Sequence, residues 1–99
     1  MATLYVTNDL GIDIKVSYAP GSGGGLIGNV TAGTPNFNLG TVTSGTDNIK
    51  IKPKNSSDHF DSHCDACVGG TKKIASSDTI TFSMAATDTS VTVGEDQNC

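Results

Sequence analysis

A chain of 99 residues is long enough for one domain and too short for two, so any site must lie on one small core or between copies. Only 35% of the residues are hydrophobic and none is tryptophan, which predicts a thin core and favours homo-oligomerisation as a supplement. The formal charge of −4, with every cation a lysine, argues against nucleic acid as a partner, because phosphate binding draws on clustered Lys and Arg; the lysines that do bunch, Lys50, Lys52 and Lys54, read first as a solvated strand face.

The segment TLYVT at residues 3–7 has strand composition, and the turn chemistry of Asn8-Asp9-Leu10-Gly11 predicts a hairpin after it. Next, Ile12, Ile14, Val16 and Tyr18 alternate with Asp13, Lys15 and Ser17, the period of a half-buried antiparallel strand. Pro20 ends that strand. The glycine-rich run 21–25 then reads as a flexible loop, without the GK[ST] and helix that phosphate binding would require. Leu26, Ile27 and Val30 predict a short strand or a tucked loop, followed by a turn at Ala32-Gly33-Thr34-Pro35. Phe37, Leu39 and Thr41 alternate with Asn38, Gly40 and Val42 in a further strand, which ends at residues 44–48. Ile49 and Ile51 alternate with Lys50 and Lys52 up to Pro53; the lysines and the closing proline predict an edge strand.

From Pro53 to Gly70 the periodicity vanishes, and a long irregular loop is expected at 53–70. Strands follow at 79–84, with Ile80, Phe82 and Met84 inward, and at 89–93, with Val91 and Val93 inward. The tail 94–99 is expected to be flexible unless Cys99 is tied down. Residues 1–99 are therefore predicted to form a single all-β domain. Its expected form is a small antiparallel β-sandwich, or small barrel, of six to seven short strands with a long Cys/His-bearing loop. The stretch LYVTNDLGIDIKVSYAP, a glycine loop and then NIKIKP faintly resembles the opening of the aegerolysin-type small β-sandwiches, a family that binds membrane lipids. The resemblance spans half the chain at most and lacks the tryptophans expected of that family, so no residue role follows from it.

No run of about eighteen apolar residues is present, which predicts no transmembrane segment. The opening MATLYVTND lacks the regions of a signal peptide, so the chain is expected to be cytoplasmic or a mature secreted domain.

Reactive chemistry concentrates in residues 58–67, DHFDSHCDAC. His59, His63, Cys64 and Cys67 are ligand types that suit zinc or copper. Asp58, Asp61 and Asp65 would raise local cation affinity, yet their spacing lacks an EF-hand pattern, which places calcium behind zinc and copper. The competing expectation is a disulfide staple among Cys64, Cys67 and Cys99. Thiol–disulfide catalysis is disfavoured, because the acidic neighbours raise a thiol pKa rather than lower it.

No catalytic constellation is complete, so a non-enzymatic binding module is expected, its ligand a carbohydrate or a protein surface. Phe60, taken as exposed in the loop, would supply an aromatic platform beside Asp58 and Asp61. A metal-binding protein and a self-assembling structural subunit are the alternatives.

Overall fold

The computed structural model describes residues 2–19, 26–42, 47–74, 78–84 and 87–99. Pro20 with the glycine run 21–25 lies outside the described residues, as do 44–46 of the turn expected at 44–48, whose last two residues, Asp47 and Asn48, instead open a strand. The described chain is all strand: β1 (Ala2–Asn8), β2 (Ile14–Ala19), β3 (Leu26–Val30), β4 (Phe37–Val42), β5 (Asp47–Pro53), β6 (Cys64–Val68), β7 (Thr71–Ile74), β8 (Ile80–Met84) and β9 (Thr89–Glu95). They form two sheets, ordered β4-β1-β9-β6-β7 and β3-β2-β5-β8. The inward faces of both sheets supply one cluster of buried side chains, so the fold is a small all-β sandwich.

The period-2 residues of β2, β5, β8 and β9 enter this core as their spacing predicts, whereas on β4 Phe37 is exposed and Leu39 only partly buried. Leu4, Val6, Ile14, Val16, Ile49 and Ile51 are fully buried, and Ile80, Phe82, Met84, Val91 and Val93 line the remainder. Nine described strands exceed the six to seven expected, and the two additional ones, β6 and β7, lie within and just beyond the segment expected to be irregular. The unpatterned connection shrinks to 54–63. Gly69 and Gly70, with φ of 56° and 83°, make a two-residue hairpin that sets Val68 opposite Thr71. Two successive left-handed residues match the natural strand twist, and glycine adopts them at no steric cost.

Three further expectations are corrected by the topology. The first concerns the turn at 8–11, which joins no hairpin: β1 and β2 lie in different sheets, so the chain crosses the sandwich there. The second concerns β5, which is central rather than an edge, since it pairs with both β2 and β8. Lys50 and Lys52 project from the solvated outer face, a position that leaves in-plane pairing untouched, and Pro53 ends the strand. The third is that not every pair is antiparallel, because β1 runs parallel to β9, with Val6 beside Val91.

At the crossover, Asn8 continues the inward face of Ala2, Leu4 and Val6, a core position occupied by an amide. Its Nδ2 donates to the carbonyls of Ile12 (2.8 Å), Val30 (3.0 Å) and Thr31 (3.2 Å), and its Oδ1 accepts from the Leu10 amide (3.0 Å). One side chain thus closes the turn and ties it to the end of β3. Along the other open edge, Leu39 and Phe37 lie over Gly28, where a side chain on residue 28 would overlap Leu39.

The tail is tied down. Past Glu95 the chain turns through Asp96, at φ 49°, and Cys99 is disulfide-bonded to Cys67. Gln97 packs against Gly94, which has no side chain to obstruct it. On the strand beside Gly94, Asp65 is buried and its carboxylate is 2.7 Å from the Lys72 ammonium.

Candidate functional site

The predicted ligand set His59, His63, Cys64 and Cys67 is not brought together. Cys64 and Cys67 stand three residues apart on β6, a rise of roughly 10 Å with side chains on opposite faces. Cys64 points inward with Ala66 and is buried, whereas Cys67 faces out to its disulfide with Cys99. A CxxC on an extended strand can neither close on itself nor grip one ion with both sulfurs, so of the pairings expected, Cys67 with Cys99 is the one formed. His59 is turned to Asp78, its Nδ1 3.0 Å and 3.1 Å from the two carboxylate oxygens.

Burial pushes the Cys64 thiol up, with the nearby carboxylates of Asp61, Glu95 and Asp65 adding to the effect. A protonated, enclosed thiol is a poor nucleophile. Cys64 is therefore expected to resist iodoacetamide in the native protein and to label in full once urea unfolds it. Native labelling at the rate of a free thiol would contradict its placement in the core.

Phe60 is also corrected. It is 8% exposed and, although it lies in the β5–β6 connection, it belongs to the core, so its ring is no exposed sugar platform. The mean hydropathy of its neighbours conceals this, because a single apolar residue in a polar loop carries no period. Asp58 and Asp61 are separated as well. Asp61 lines a cleft of about 180 Å³ with Leu10, Ile12, His59, Phe60, Glu95 and the buried Cys64, while Asp58 lines a different depression beside Lys52 and Asp78.

A different set converges. The β6–β9 ladder pairs Cys64 with Glu95, and beyond that pair the Asp96 amide donates to the His63 carbonyl at 3.0 Å. The turn before β6 closes through the Cys64 amide to the Asp61 carbonyl at 3.0 Å, which folds Asp61 back toward His63. His63 Nε2 consequently lies 3.4 Å from Glu95 Oε2 and 3.9 Å from Asp61 Oδ2. One ligand atom from each of Asp61, His63 and Glu95 falls within 4.8 Å of the others. Two donors bound at about 2.05 Å to a tetrahedral ion stand about 3.3 Å apart, so the His63–Glu95 separation needs little adjustment and the His63–Asp61 separation must close by about 0.6 Å. Exposed carboxylates can rotate through the rest.

The imidazole of His63 titrates above its ordinary value, chiefly because it hydrogen-bonds Glu95; desolvation opposes this, and the fields of Asp96, Glu95 and Asp61 add to the rise. Its folded-state value is thus above the unfolded one. The stability it contributes is present in full below about pH 6.5 and is lost as pH rises through the raised value.

Glu95 was hidden in the sequence. It lies 32 residues from His63 in a segment that looks like solvated tail, and only the β6–β9 pairing brings the two together. The chain matches no protein-family model, no curated protein and no solved structure.

Proposed function

We propose that this protein is a non-enzymatic β-sandwich binding module that holds one divalent transition-metal ion, of the zinc class, between Asp61, His63 and Glu95. The observation that carries this reading is an imidazole nitrogen set between two carboxylates at near-ligand separations. One nitrogen with two oxygens suits zinc and its neighbours. Copper(II) would favour more nitrogen, and calcium would require six or more oxygens. The cysteines take no part in this set.

Asp61 and Glu95 also line the 180 Å³ cleft, so an ion held by them would leave open coordination positions beside it. Sugar hydroxyls or a carboxylate on a partner surface are the ligands such positions would accept. The exogenous partner is a carbohydrate or a protein surface, bound through Asp61 and the ion rather than through an exposed Phe60 ring.

Zinc titration by calorimetry is expected to give one site per chain. His63→Ala and Glu95→Gln should each weaken it by about 100-fold or more, since even loss of a supporting contact around a metal costs 10–100-fold. Cys64→Ala should leave it unchanged. Zinc must displace the proton from His63, so affinity is expected to fall about tenfold per pH unit below the raised pKa of that imidazole. Wild-type affinity in His63→Ala would overturn the assignment.

A further inference from the structure

The outer face of the four-stranded sheet belongs to none of this chemistry. Its register sets Lys15 directly opposite Lys52 and places Lys50 two residues further along the same face, opposite Ser17. Cross-strand like charges in direct opposition destabilise a sheet. Lys54, at the lower end, has its carboxylate in Asp13 at 4.0 Å. No carboxylate lies within ion-pair distance of Lys15, Lys50 or Lys52 among the described residues. Three cations without an ion pair therefore share one flat surface on a chain whose formal charge is −4, with Asp58 and Asp78 beside Lys52 at its margin.

Between and beside them stand short polar side chains, Ser17, Asn29 and Thr81, all at least partly exposed. Ile27, 70% exposed, is the one large apolar side chain on this face among the described residues. The charge pattern calls for an anionic partner that is repetitive, extended and rich in hydroxyls. Nucleic acid fits poorly, since the described face offers no arginine for phosphate and no aromatic ring on which a base could stack.

We propose that this face binds a linear acidic polysaccharide, with Lys15, Lys50 and Lys52 taking its carboxylates or sulfates. Ser17, Asn29 and Thr81 meet its hydroxyls, and Ile27 meets the apolar side of a sugar ring. The site is separate from the Asp61–His63–Glu95 cluster, which belongs to the other sheet and the loop before it, and needs no metal.

The test is a fluorescence titration with chelator present, using polygalacturonate as the carboxylate probe, heparin as the sulfate probe and single-stranded oligothymidylate of matched charge as the competitor class. Binding of at least one polysaccharide is expected, weakening about fourfold for each doubling of salt if three lysines each release counterions as they do from a single-stranded polyanion. The triple variant Lys15→Gln, Lys50→Gln, Lys52→Gln should lose at least about tenfold in affinity and all but a residual salt dependence. Lys73→Gln should bind as wild type, with Lys72 left in place because it pairs with the buried Asp65. These lysines are surface groups, and a thermal melt of each variant verifies the fold. Absence of binding to both polysaccharides at low salt, equal binding by the triple variant, or tighter binding to the oligonucleotide would each overturn the proposal.

Discussion

Reducing the Cys67–Cys99 disulfide is expected to destabilise the protein by about 3–4 kcal/mol. The bond joins residues 32 apart and encloses β7, β8 and β9 in one covalent loop. Closing a loop of that length in the unfolded chain removes conformational entropy worth about 3–4 kcal/mol, on the chain-entropy account. For a domain near 100 residues each kcal/mol shifts the melting temperature by about 4–8 °C, so reductant should lower it by roughly 12–30 °C. Cys99→Ala should melt with the reduced wild type and lose its response to reductant. Cys64→Ala should keep that response, since Cys64 faces the core on the opposite side of β6 and cannot substitute as a partner. Superimposed melts with and without reductant would mean that tail docking is uncoupled from global unfolding. The metal site offers an independent check: Glu95 lies on β9 rather than in the tail, so the reduced protein should still bind zinc while it remains folded.

The second large effect is expected at Asn8. Truncating it to Ala leaves the carbonyls of Ile12, Val30 and Thr31 and the amide of Leu10 without their partner, in and around a buried crossover. An orphaned buried polar group costs about 1–3 kcal/mol, and several share this loss, so about 3–4 kcal/mol is expected from the urea midpoint. Asn8→Asp is nearly isosteric and should be worse at pH 7, because a carboxylate only accepts and would face three carbonyl oxygens. Its folded-state pKa would be raised above the unfolded value of about 3.9. The sign follows from linkage: the penalty is present in full above that raised value and shrinks as pH falls through it toward the unfolded one. The gap between Asn8→Asp and Asn8→Ala should thus narrow toward pH 4. A constant gap across that range would show that the amide donates no critical hydrogen bond.

Where one face of a strand is buried and the other wet, the alternation of side chains announces it, and β2, β5, β8 and β9 are legible in this way; β1 is legible by its strand composition, and β4 alternates in sequence although none of its described side chains is fully buried. β6 is legible in neither way. Its inward residues are Cys64, Ala66 and Val68, and its outward ones are a buried, ion-paired Asp65 and a disulfide-bonded Cys67, so neither face has the composition that alternation relies on. β7 carries adjacent lysines, Lys72 and Lys73, and the Gly-Gly between them and β6 is equally compatible with an irregular loop. Of the candidate site, Asp61 and His63 stood in the segment singled out by its chemistry, whereas Glu95 did not. Asn8 was visible only as a turn residue, since nothing local distinguishes a turn asparagine from one that binds backbone 22 residues away.

By itself the sequence determined the class of fold, through period-2 patterning, and the neighbourhood of the reactive residues, because both are local properties of the chain. Tertiary structure alone decided which residues meet: β5 at the centre of its sheet, β1 parallel to β9, Cys67 bonded to Cys99, and His63 set between Asp61 and Glu95. The physical reason is that pairing between strands follows from burying two apolar faces together over the whole chain. Side chains distant in sequence are placed by that global solution, and no local pattern records it.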